Sequence, residues 1–215
     1  MIVAAKSRPA HPIKLYRFRL SGHCHRAELF LSLLGLPYRA IEIDLRAGAQ
    51  RSEAFMTMNV FGQVPVIDDD GVIVADSNAI LVYLASKYDD GGWLPRQAAQ
   101  AAEVQRWLSV AAGQVAFGPA AARLAALFGA KIDVEAAVAR AHGLLLIMEK
   151  VLGASPFVAG AAPTIADVAV YTYVAHAPEG KISLEPYSAV RAWLARIEAL
   201  PRFVAMPAAR AGGTA

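Results

Sequence analysis

The spacing of apolar residues changes its period several times along the chain, and each change predicts an element. "IKLYRF" (13–18) is rich in β-formers and predicts a strand. "HRAELFLSLLGL" (25–36) places Leu29, Leu33 and Leu36 at helical spacing, and Gly35-Leu36-Pro37 supplies the stop. "YRAIEIDL" (38–45) alternates apolar and polar residues, as a half-buried strand does. Strand, helix and strand in so short a span make a βαβ unit with a right-handed crossover. A polar loop (46–54) and a short "FMTMN" segment follow. "GQVPVIDDDGVIVADS" (62–77) then predicts two short strands around an Asp-Asp-Asp-Gly reversal. "SNAILVYLASKY" (77–88) predicts a helix with Ile80, Tyr83, Leu84 and Tyr88 on one face.

"DDGGWLP" (89–95) is turn-rich and marks a boundary, beyond which the pattern is helical throughout: roughly 98–128, 133–152, 164–176 and 187–199. Asp133 ahead of Glu135 signals one helix start. "PTIAD" signals another more clearly, because Thr164 and Asp167 have capping-box spacing. Pro119 removes a backbone donor and is expected to kink the first long helix. The fold class expected is an α/β thioredoxin-like N-terminal domain (13–90), a linker (91–97) and an all-α C-terminal domain (98–207). Residues 1–12, with Pro9 and Pro12, read as a loose leader.

Composition narrows the classes. A 56% hydrophobic, 18% charged chain of 215 residues has ample core material and is neither disordered nor disulfide-stapled. Its single cysteine, Cys24, forbids an intramolecular disulfide and fits a reducing compartment. The N-terminus lacks the apolar region of a secretory signal. The apolar stretch 107–130 contains Gln114, Pro119 and Arg123, which argues for a buried helix over a membrane span. A cytoplasmic location with no membrane partner is the expectation. The net charge is +3, with 21 basic residues interspersed among 18 acidic ones. No basic stripe with interleaved aromatics points to nucleic acid. Mild basicity instead favours anionic small molecules.

Three places point to chemistry. In "LSGHCHRAELF" (20–30), Ser21 and Cys24 stand three apart where a strand yields to a helix. Groups there sense the helix's positive end, where a thiol pKa can fall, although a lone cysteine is commonly a small buried hydrophobe. His23 and His25 flank Cys24 too closely to converge with it on zinc, so no metal is expected. Pro65, between Val64 and Val66, costs a ladder hydrogen bond. It reads either as an edge-strand proline or as a cis Val64–Pro65 bond that turns the Val64 backbone toward a ligand. Asp76-Ser77, at a helix entry, reads either as a plain cap or as a zwitterion site. In the second reading helix amides meet a carboxylate and Asp76 meets an ammonium.

Taken together, the serine before the first helix, "NVFGQVPVI", "ADSNAILVYLASKY", the linker with Trp93 and "PTIAD" resemble the cytosolic glutathione transferases over about residues 13 to 207. The resemblance implies that Ser21 is the activating serine of the theta, zeta and delta types. It implies further that Val64, before a cis Pro65, pairs its backbone with the cysteinyl unit of glutathione. Gln63 would hold the glycyl carboxylate with help from Gln50, while Asp76 and Ser77 would hold the γ-glutamyl group. Asp76 departs from the commoner glutamate. Phe117, near Pro119, is the expected pocket residue for a small hydrophobic electrophile, and homodimerisation is the expected assembly. Glutathione is a co-substrate, and no cofactor is expected. Two alternatives stand beside conjugation: a thiol–disulfide reductase using Cys24, and a non-catalytic binding module of the stringent-starvation type.

Overall fold

The computed structural model describes residues 8–209; the first part of the expected leader, residues 1–7, lies outside the described residues. The first half contains β1 (Ile13–Arg17), α1 (Gly22–Leu33), β2 (Tyr38–Glu42), α2 (Glu53–Met58), β3 (Val66–Asp69), β4 (Val72–Ala75) and α3 (Ser77–Tyr88). The sheet order is β2-β1-β3-β4. β1 and β2 are parallel, joined by the α1 crossover, and β3 and β4 add antiparallel. The β3–β4 reversal rests on Asp70 and Gly71, both at positive φ (51° and 91°). That pair is what a two-residue hairpin turn of primed type requires.

The second half contains α4 (Ala98–Val110), a π-helical stretch (Ala111–Ala120), α5 (Ala121–Phe128), α6 (Val134–Ala154), α7 (Ile165–Ala175) and α8 (Ser188–Glu198). Three sequence expectations are corrected. The first helix begins at Gly22, three residues early, because Ser21 caps it by accepting from the Cys24 N–H. The second strand stops at Glu42, where pairing with β1 ends. The expected single helix 98–128 changes to π-type hydrogen bonding over Ala111–Ala120, with Pro119 inside that stretch. The capping box at Thr164 forms as expected, with Asp167 reaching back to the Thr164 N–H.

One apolar core runs through both halves. Leu29, Phe30, Ile80 and Leu84 from α1 and α3 join Trp107, Val115, Leu144, Val168 and Trp193 from the helical half. Phe30 meets Trp93 edge-on at 5.4 Å. The Trp93 carbonyl accepts from the Ile165 N–H at 2.9 Å, which pins the 91–97 segment to the α7 entry. The run Ala98–Phe128 is long and apolar enough to cross a membrane by length and composition. Its buried residues Val104, Trp107, Leu108, Ala111 and Val115 instead pack into this core.

Candidate active site

The βαβ crossover brings the N-terminus of α1 beside the N-terminus of α3, and the loop before β3 closes the space between them. The resulting cavity, about 780 Å³, is lined by Ser21, Gln50, Gln63, Val64, Pro65, Asp76 and Ser77 among others. Every glutathione-contacting residue expected from the sequence therefore faces one opening.

Ser21 ends the β1–α1 turn, its N–H bonded to the Phe18 carbonyl at 2.9 Å. Its Oγ accepts from the Cys24 N–H at 3.4 Å. A hydroxyl whose oxygen is occupied as a cap keeps its proton for another acceptor. Cys24 is different: it is 1% exposed, does not line the cavity, and its Sγ accepts from the Phe18 N–H at 3.3 Å. Burial pushes its thiol up to about 12, against the Phe18 and Ser21 hydrogen bonds that favour the thiolate. The depression considered from its place near a helix start is reversed, because the first turn faces the core.

Val64–Pro65 is a cis peptide bond. The sheet ladder begins only at Val66, so the Val64 backbone takes no part in it. Asn59, 7% exposed, shapes this loop: its Nδ2 donates to the Gln63 carbonyl at 2.8 Å and its Oδ1 accepts from the Phe61 N–H at 3.1 Å. Gln63 is exposed at the cavity. Gln50 donates from Nε2 to the Leu45 carbonyl at 3.5 Å, and its Oε1 is buried without a partner.

Asp76 caps α3 with a single oxygen: Oδ1 accepts from both the Asn78 and Ala79 amides at 2.9 Å. Oδ2 is thereby left for the cavity that Asp76 lines. Its φ of 75° is a left-handed value that a non-glycine residue adopts at a cost, and such strain concentrates at binding sites. Ser77, 2% exposed, accepts at Oγ from the Arg26 Nη1 at 2.8 Å. Arg26 is 1% exposed and also donates to the Asn78 Oδ1 at 2.9 Å, yet its Nε and Nη2 have no partner. Burial lowers its pKa to about 10, which leaves it charged at neutral pH. His23 Nδ1 lies 3.2 Å from the Ser77 Oγ. Burial, followed by the charge of Arg26, lowers the His23 pKa to about 3, so its ring is neutral. With Arg26 donating to the Ser77 oxygen, the Ser77 proton points at His23 or into the cavity.

His23, Arg26 and Asn59 are the site residues that sequence reasoning assigned no role. Only Asn59 had a visible signal, as the first residue of "N-x-x-G-x-V-P". Phe117, expected beside the electrophile, is 62% exposed and does not line this cavity. Its neighbour Gly118 abuts α6, where an added Cβ would come within 3.1 Å of the Ala141 nitrogen. Among the described residues no cluster of His, Cys, Asp or Glu could hold a metal ion.

Residues 20–87 match the family model of the glutathione S-transferase N-terminal domain, and residues 105–201 match that of the C-terminal domain. Glutathione S-transferase 3 of Zea mays is 32% identical over 209 residues, which spans 89% of this chain and 91% of the relative. The crystal structure of a glutathione S-transferase from Pseudomonas fluorescens Pf-5 superposes with a TM-score of 0.86 at 33% identity, covering 91% of this chain and 99% of that one. A glutathione transferase homologue from Drosophila mojavensis, solved with bound glutathione, superposes at 0.78 with 27% identity over 88% of this chain and 89% of its own. Two matched domains in order, a full-length relative and a shared fold leave one assignment: the chain belongs to the glutathione S-transferase family.

Proposed function

We propose that this protein binds glutathione in the cavity between α1 and α3 and activates its thiol through Ser21 for attack on a hydrophobic electrophile. The observation that carries this reading is the Ser21 hydroxyl, which caps α1 with its oxygen and lines the same cavity as Val64, Asp76 and Ser77. The γ-glutamyl carboxylate would meet the Ser77 amide and hydroxyl at the head of α3, with the Arg26 cation behind them. The ammonium would meet the Asp76 Oδ2, and the cysteinyl unit the Val64 backbone. Gln63 and Gln50 would serve the glycyl carboxylate.

A free thiol has a pKa of about 8.5, so little thiolate exists at neutral pH. Lowering it by about two units needs roughly 2.7 kcal/mol of preferential thiolate binding. A hydroxyl donating to a charged acceptor contributes about 1.5–3 kcal/mol, and a helix N-terminus about 0.3–1 kcal/mol. Ser21 at the head of α1 therefore suffices without a proton-abstracting base. For the electrophile, Phe18 and Phe128 offer more than Phe117. Their rings lie 6.3 Å apart, across the junction of the two halves and beside the turn that carries Ser21. Homodimerisation is part of this reading, favoured by exposed Val60 and Phe61 on the cavity rim.

The test pairs Ser21→Ala with Cys24→Ser in conjugation and disulfide-reduction assays over a pH series. The Ser21 variant is expected to lose conjugation at neutral pH by about 10- to 100-fold, with partial recovery as pH rises. Cys24→Ser is expected to stay active. Abolition by Cys24→Ser with Ser21→Ala intact would transfer the chemistry to the reductase reading. A folded protein with no affinity for glutathione would leave the binding-module reading.

A further inference from the structure

A second buried guanidinium lies outside the cavity. Arg123, in the first turn of α5, is 3% exposed. Its Nη1 donates to the Leu20 carbonyl at 2.9 Å, its Nε pairs with Glu179, and its Nη2 is buried without a partner. Leu20 immediately precedes Ser21, so this arginine grips the peptide unit that supplies the Ser21 amide. The bond crosses from the helical half to the β1–α1 turn. Glu179 belongs to a short 3-10 turn, Ala177–Gly180, and also accepts from His176 Nδ1 at 2.9 Å and from the Ala209 N–H at 3.3 Å. The turn lies directly on α5, since a Cβ on Gly180 would stand 2.8 Å from the Arg123 backbone nitrogen.

This is an expensive arrangement if it serves packing alone. Burying a cation against one carboxylate and one neutral carbonyl costs desolvation that an apolar side chain of similar volume avoids. What an apolar residue cannot do is span two acceptors on separate elements with a rigid planar fork. The fork's second contact falls one residue from the proposed thiolate donor. The α1 cap cannot do the same task, because the Ser21 Oγ bond to Cys24 orients the side chain relative to α1 only.

We infer that Arg123 is a positioning residue for Ser21: by fixing the Leu20 carbonyl it sets the peptide plane leading into Ser21 and so aims the hydroxyl at the glutathione sulfur. The inference rests on the reading of Ser21 as the thiolate's donor, and its test separates the two. Arg123→Lys keeps the charge but replaces two separated nitrogens of a planar fork with one point donor, so it cannot hold Leu20 and Glu179 in the same geometry. Glu179→Gln leaves Arg123 in place and loosens its anchor, and it serves if the lysine variant does not fold. The readout is the apparent thiol pKa of bound glutathione, taken from thiolate absorbance against pH in the binary complex, alongside glutathione affinity and the melting temperature.

Arg123→Lys is expected to raise that thiol pKa by about one unit while changing glutathione affinity by less than roughly threefold. Glu179→Gln shifts it less and in the same direction. Ser21→Ala raises it, and adding Arg123→Lys to Ser21→Ala raises it no further. Folded Arg123 and Glu179 variants with an unshifted thiol pKa, beside a shifted Ser21→Ala, overturn the inference and leave the Ser21 reading standing. An unshifted Ser21→Ala overturns the Ser21 reading and this inference with it. A further shift in the double variant overturns the inference by showing that Arg123 acts on the sulfur other than through Ser21.

Discussion

Two helix entries in this molecule use the same capping chemistry toward opposite ends. At α7, Thr164 and Asp167 form a capping box whose carboxylate is fully engaged. Asp167 accepts from the Val158 and Thr164 amides and from the Trp193 Nε1, each at 2.9 Å, and from the Thr164 hydroxyl. At α3, Asp76 spends one oxygen on its own helix and keeps the other toward the cavity, and it does so at a positive φ. Ser77 beside it is backed by a cation with two unpartnered nitrogens. A cap closed on itself ties a core together, whereas a cap left half open at a conformational cost is built for something that arrives later.

The comparison breaks first at α7. Asp167→Ala strands four buried donors, of which the Thr164 hydroxyl can turn to another acceptor, so a loss of about 3–5 kcal/mol is expected in denaturant unfolding. An unchanged midpoint would mean that this entry is not closed in the sense argued. At α3 the expected effect moves from stability to binding. Asp76→Asn keeps an oxygen for the cap and removes the charge. Glutathione affinity measured calorimetrically should fall about tenfold with the melting temperature nearly unchanged. An analogue lacking the γ-glutamyl amine should bind both proteins alike.

The smallest effect tests the neutral ring beside Ser77. His23 has a folded pKa near 3, well below the ordinary value of 6.5. Below pH 6.5 the unfolded chain takes up a proton that the folded chain refuses, so stability falls as pH drops toward 3. The His23→Gln variant lacks that slope. Its stability change between pH 7.5 and 5.5 should be smaller than the parent's by about 1 kcal/mol. Equal slopes would place a charged ring next to Arg26.

Much of the cavity was legible in the sequence because its determinants are local. "GQVP" and "ADS" each place their side chains through the conformation of a few successive residues, and the two N-termini meet once the βαβ connection is recognised. What escaped depends on distant partners. Arg26 gains meaning only where α1 crosses the α3 entry, and Arg123 only where α5 reaches Leu20. Cys24 carried two readings, a thiol activated near a helix start and a small buried hydrophobe; its side of α1 packs into the core, which is the second, and desolvation outweighs the hydrogen bonds that favour the thiolate.

Gly22 follows Ser21, and a Cβ built there would stand 2.6 Å from the Tyr173 ring. The head of α1 therefore rests on α7 with no clearance, in the manner of a shaft seated on a bearing. A rigid seat of this kind gears the two halves together. The lip that carries Ser21 therefore takes its reference from the helical half as well as from the sheet it grows out of.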